Sequence, residues 1–167
     1  MSYVTIWIHA VWGTKHRLHS LTKEKRVKLF GHMLENAKKK EIWIDTINGH
    51  TDHVHCLLAL NAEMSIAKTM QLIKGESSFW ANKHDLFEPK LEWADEYYAC
   101  SISKSHVDAV RNYIKNQEVH HVAHNYIEEY MDFLKAMGYE VRAKANTGAG
   151  VTAPAINGGV RTATSGR

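Results

Sequence analysis

What constrains this chain most is an order of patterns. Apolar runs of period two and amphipathic stretches of helical period follow one another as strand, helix, strand, strand, helix, strand. Residues 3–12, YVTIWIHAVW, set Val4, Ile6, Ile8 and Ala10 against Thr5, Trp7, His9 and Val11, as a strand with one apolar face does. GTKHRLHS then reads as a loop. From Thr22 onward Val27, Phe30, Leu34 and Ala37 recur at helical spacing, and Lys38, Lys39 and Lys40 suit the negative pole of a helix. EIWIDTI and DHVHCLLAL are two further strands joined by NGHT, where Asn48-Gly49 predicts a hairpin turn. Ser65 is placed to cap a second helix that carries Ile66, Met70, Ile73 and Trp80 inward; HDLFEPK breaks it, and EWADEYYACSI is a fourth strand. The order is that of an α+β, ferredoxin-like (split βαβ) fold: a four-stranded antiparallel sheet with helices on one face and the other face open. That fold hosts many unrelated functions, so it decides little by itself.

Two helical patterns follow. SKSHVDAVRNYIKNQEVHHV has Ser105 and Asp108 at capping-box spacing and a stripe of Val107, Val110 and Ile114. The next has Ile127, Tyr130, Leu134 and Met137, and ends at Gly138. Residues 141–167 hold five of the ten glycines and no aromatic or acidic residue, so they read as a flexible low-complexity tail after a domain of residues 1–140. At 44% hydrophobic residues that domain can bury a core without staples, and the two cysteines, Cys56 and Cys100, need not pair. No secretory leader and no membrane-length apolar run is evident, which makes the cytoplasm the expected location. The charge is polarised: net +7 over residues 1–40, −8 over 41–140 and +4 over 141–167. The basic first quarter is either a phosphate-binding surface or a solvated helix face.

In DHVHCLLAL, His53 and His55 share a face with Leu57 and Ala59, while Val54, Cys56, Leu58 and Leu60 fill the other. Same-face strand neighbours lie roughly 6.6 Å apart, so the two imidazoles can converge on one ion. With 12 histidines in 167 residues such a pair arises about once by chance, and the alternative is a hydrogen-bonded structural pair. On the third helix Tyr113 and Gln117, four apart, share a face at the margin of the apolar stripe, from which both can reach an ion held by a neighbouring strand; a boundary tyrosine with its hydroxyl in water is the plainer reading. Together they match one chemistry. Phosphoryl transfer from a DNA backbone needs a nucleophile, a cation and in-line positioning, and a tyrosine ester stores the broken bond for rejoining.

DHVHCLLAL resembles the histidine–apolar–histidine signature of HUH endonucleases, and RNYIKNQEVHH resembles the Tyr-x-x-x-Gln helix of the single-tyrosine HUH transposases of the insertion-sequence 200/605 type. YVTIWIHAVWGTKHR, IDTINGHTDHVHCLLAL, MQLIKGESSFW and EWADEYYACSISKSHVDAVRNYIKNQEVHH are similar to that family's successive segments, over roughly residues 3–135. The resemblance implies a small homodimer that cleaves and rejoins single-stranded DNA at hairpin-bearing transposon ends, using Mg²⁺ or Mn²⁺. It makes His53, His55 and Gln117 the metal ligands and Tyr113 the nucleophile on a C-terminal catalytic helix, forming a 5′-phosphotyrosine and leaving a free 3′-OH. In the family that helix often serves the partner's histidine pair, so Tyr113 acts in cis or in trans. The tail from residue 141 matches nothing in the family.

The acidic balance of residues 41–140 leaves the first quarter as the DNA surface, with Lys15, His16, Arg17, Lys25 and Arg26 as candidate contacts. His120 and His124, at i, i+4, are read as solvated histidines, and His9 as a residue behind the metal ligands. Trp7, Trp12, Trp43, Trp80 and Trp93 read mostly as core or dimer contacts rather than base-stacking platforms. Two alternatives remain: a non-catalytic module that binds single-stranded nucleic acid on the same fold, and a host-adopted HUH nickase that cuts without supporting transposition.

Overall fold

The computed structural model describes residues 4–117 and 126–136. The chain divides into two compact units, Met1–Ala123 and His124–Arg167. In the first, the predicted order of elements is present: β1 (Trp7–Gly13), α1 (Lys23–Lys39), β2 (Trp43–Gly49), β3 (His53–Ala59), α2 (Ile66–Lys83), β4 (Tyr98–Ile102) and α3 (Val107–Lys115). The sheet runs β2-β3-β1-β4 with every neighbouring pair antiparallel, which is the ferredoxin-like arrangement. The described residues of the second unit form a helix, α4 (Tyr126–Ala136). The tail from residue 141, the domain boundary at 140 and the His120–His124 pair lie outside the described residues. Among those described, no helix is long and apolar enough to cross a membrane.

Strand alternation divides the two faces. Ile8, Ala10 and Trp12 of β1 and Val54, Cys56 and Leu58 of β3 face the core, where they meet Leu29, Phe30 and Met33 of α1 and Met70, Ile73 and Ala81 of α2. Ser65 caps α2 as predicted, its Oγ accepting from the Lys68 amide at 3.2 Å.

The helix stripe in α1 differs from the expected one. Arg26, Leu29, Phe30, Met33 and Ala37 are buried, while Val27 is 67% and Leu34 41% exposed. Both sets satisfy the helical period and share Phe30 and Ala37. The one holding Leu29 and Met33 wins because it carries more apolar volume to the sheet. Arg26 is thereby taken off the surface on which it was expected to contact DNA: its guanidinium donates to the Leu21 carbonyl at 3.3 Å.

The β2–β3 reversal also moves. Asn48 and Gly49 are the last residues of β2, pairing with His55 and Val54, and the chain turns at Thr51–Asp52. That turn is fixed from outside the hairpin, since the Thr14 amide donates to the Asp52 carbonyl and the Leu21 amide to the Thr51 carbonyl, each at 2.8 Å. Gly49 is needed for closeness: a Cβ there would stand 2.2 Å from the His53 carbonyl oxygen and 3.0 Å from the Val54 Cα. Gly49→Ala is expected to lower the unfolding free energy by about 1–3 kcal/mol, the range for forced overpacking. Urea denaturation measures this, and an unchanged midpoint would mean that the hairpin shifts without strain.

The fourth strand is shorter than its pattern, beginning at Tyr98 rather than near Glu92. Upstream, Trp93 turns into the core, its indole donating to Ser77 Oγ at 3.0 Å, and the backbone of residues 92–94 bonds to the Gly13–Lys15 corner. At α3 the expected Ser105 cap is replaced by a short 3₁₀ turn, Lys104–His106, and Asp108 pairs with Arg111 instead.

Candidate active site

The face of the sheet expected to be open is covered by α3, which lies on β2 and β3 and buries Val107, Val110 and Ile114. Two polar ties set its position. Arg111 donates from Nε and Nη2 to the two carboxylate oxygens of Asp45, both at 2.8 Å, and Asn48 Nδ2 donates to the Lys115 carbonyl at 3.1 Å. Asp45 sits where the β2–β3 register slips between Ile44 and Thr46, so the irregularity turns a carboxylate toward α3. The Arg111 hydrogen bonds hold the Asp45 carboxyl below the usual range.

Beneath α3 the antiparallel register places His9 of β1 diagonal to His55 of β3. His9 Nε2 and His55 Nδ1 are 3.1 Å apart, with ring centroids at 5.3 Å. The His53 and His55 centroids are separated by 5.1 Å, with the rings nearly perpendicular. The Tyr113 ring stands edge-on to both neighbours, 5.6 Å from His55 and 6.1 Å from His9. His9, His53, His55 and Gln117 are all buried, and Tyr113 is partly exposed. The structure therefore brings Tyr113, His53, His55 and His9 of one chain together, whereas Gln117, expected on the same helix face as Tyr113, is buried beyond the end of α3, past its C-cap at Asn116.

Burial pushes the His9 pKa down to about 3, so this imidazole is neutral at physiological pH. A neutral imidazole either donates or accepts at Nε2; where His9 accepts, His55 carries its proton on Nδ1 and keeps its Nε2 lone pair. His53 faces a carboxylate instead. Its Nδ1 is 2.7 Å from Asp52 Oδ1, and Arg17 Nε donates to Asp52 Oδ2 at 2.7 Å. Burial alone would raise the Asp52 pKa, but the hydrogen bonds from His53 and Arg17 outweigh it and keep the carboxyl far below its usual range. Asp52 was missed in the sequence, although it stands directly before His53.

The candidate DNA contacts separate. Lys15 is exposed and paired with Glu92; His16 is exposed; Arg17 turns to Asp52. His16 and Arg17 hold φ of 55° and 58°, a left-handed conformation that is costly for residues with a Cβ. The Lys25 ammonium lies 5.3 Å over the Phe87 ring, and Arg26 is interior.

The sequence profile of the family described as "Transposase IS200 like" matches residues 2–117. The chain is 27% identical over 114 residues to the transposase for insertion sequence element IS200 of Salmonella typhimurium, covering 65% of this chain and 74% of that protein; the Salmonella typhi transposase matches equally. Among solved structures, a candidate transposase from Deinococcus radiodurans R1 has the same fold with a TM-score of 0.54 at 24% identity, over 70% of this chain and 95% of that one. A REP-associated tyrosine transposase bound to a REP hairpin superposes with a TM-score of 0.56 at 14% identity, over 93% of this chain and 97% of that one.

Proposed function

The chain belongs to the family of IS200-like transposases and is a DNA transposase, and from that premise we propose that it cuts and rejoins single-stranded DNA through a bond between Tyr113 and a 5′-phosphate. The observation that carries the proposal is the Tyr113 ring edge-on to His55, whose ring centroid is 5.1 Å from that of His53. A nucleophile beside two imidazoles on one face suits a metal-assisted phosphoryl transfer.

The donor set fits a divalent cation. His53 and His55 would hold it through Nε2. The Gln117 amide oxygen is proposed as the third protein donor, the role implied by the resemblance of RNYIKNQEVHH to the Tyr-x-x-x-Gln helix. Mn²⁺ suits this mixture of nitrogen and oxygen donors, and Mg²⁺ would take more of its shell from water and phosphate. Bound there, the ion would offset the charge gathering on the non-bridging phosphate oxygens.

Tyr113 supplies the attacking oxygen. The Tyr113 Oη–P bond forms as the P–O3′ bond breaks, the tyrosine gives up its proton, and the departing oxygen takes one up as a free 3′-OH. Because one phosphate ester replaces another, rejoining to a second 3′-OH needs no nucleotide cofactor.

A hairpin at each DNA end is the proposed ligand, supported by the REP hairpin held by a relative of the same fold. Lys15 and His16 are the contacts retained from the first quarter. A homodimer is expected, and the ring contacts favour Tyr113 serving its own chain.

The test incubates the purified protein with single-stranded end DNA in Mn²⁺ or EDTA and resolves the products on a denaturing gel. A covalent adduct that requires the ion is the expected result. Hairpin binding without any adduct would favour the non-catalytic module. An adduct from an element that cannot move would favour the nickase.

A further inference from the structure

We propose that Asp52 is a positioning residue for the ion site: it fixes the His53 ring in the tautomer whose Nε2 can ligate a divalent cation, and Arg17 holds Asp52 in place to do so. The inference rests on the metal reading above and adds two residues to it.

The two carboxylate oxygens of Asp52 are divided between two partners. Oδ1 lies 2.7 Å from His53 Nδ1 and Oδ2 accepts from Arg17 Nε at 2.7 Å. The Asp52 and His53 side chains are 3% and 1% exposed, so bulk water does not compete for the bond between them. An ionised carboxylate can only accept. The proton between them therefore belongs to His53 Nδ1, and in the neutral ring that tautomer puts the lone pair on Nε2.

The backbone holds the carboxylate against the ring as well. The Thr14 amide donates to the Asp52 carbonyl at 2.8 Å and the His50 amide to the His53 carbonyl at 3.0 Å. Arg17 reaches Asp52 from a loop in which His16 and Arg17 both adopt left-handed backbone. The strain of two such residues is sustained by contacts of this kind. Arg17, one of the candidate DNA contacts, is directed by its geometry to the ion site.

Side-chain ¹⁵N NMR of the metal-free full chain reads the tautomer directly. In the native protein His53 is expected as Nδ1–H. In Asp52→Asn it is expected to shift toward Nε2–H, because the amide can donate to Nδ1 where the carboxylate could not. The Mn²⁺ dissociation constant, read by electron paramagnetic resonance without DNA, is expected to rise about 10–100-fold. Arg17→Ala should move both readouts in the same direction by less, and Arg17→Lys should restore part of the change. If Asp52→Asn does not fold, Arg17→Ala carries the test.

A His53 that keeps Nδ1–H and its Mn²⁺ affinity in both variants overturns the inference while leaving the metal reading intact, provided His53→Ala loses the ion. Mn²⁺ affinity that His53→Ala leaves unchanged overturns both.

Discussion

Tyr113→Phe is expected to abolish the covalent protein–DNA adduct while leaving hairpin binding within about twofold of the native protein. The substitution removes one oxygen and keeps the ring, so the edge-on contacts to His55 and His9 survive and the fold has no reason to change. What is lost is the only atom to which the 5′-phosphate is proposed to bind. Removal of a nucleophile typically costs at least about 10³-fold, and here the product itself carries the nucleophile, so the adduct band should be absent rather than weak. Electrophoretic mobility shift on the same DNA separates binding from chemistry. An adduct that persists in Tyr113→Phe would move the nucleophile to another residue and end the present assignment.

His55→Ala is expected to lower the rate of adduct formation by more than about 100-fold, because partners one layer behind a metal already cost 10–100-fold. His55 is fully buried at the centre of the group, bonded to His9 on one side and next to the His53 and Tyr113 rings. Its removal also costs about 1–3 kcal/mol of stability, since a buried hydrogen bond is broken and the His9 nitrogen loses that partner. The two effects are separated by measuring rates against Mn²⁺ concentration at a temperature where the variant is folded. A ligand role predicts that higher Mn²⁺ recovers part of the rate. A rate unchanged at all Mn²⁺ concentrations would show that His55 only packs.

The strand and helix order was legible because each element carries a local period, and the histidine pair was legible because alternation alone puts His53 and His55 on one face. What was not legible depends on tertiary choice. Val27 and Leu34 fit the helical period as well as Leu29 and Met33 do, and only the sheet beneath α1 decides between them. Asn48-Gly49 carries a strong turn signal, yet the reversal sits at Thr51–Asp52 because the loop after β1 bonds that pair. The same loop explains Arg17: charge marked it as a surface cation, and a carboxylate 35 residues away in sequence claims it. Gln117 was placed at the margin of an apolar stripe on the third helix, but α3 ends at Lys115 and Gln117, beyond its C-cap, is fully buried.

The Asp45–Arg111 tie has a kinetic meaning. A nucleophile clamped by its own chain onto the residues it works with meets them at an effective concentration set by geometry, independent of how many copies surround it. If Tyr113 serves its own chain, as proposed, α3 held by Asp45 and Asn48 would give each chain its own tyrosine and histidine pair, and the first cut would require no encounter between protomers. Scarcity of the enzyme would then limit how often two ends are brought together, but not how fast one end is opened.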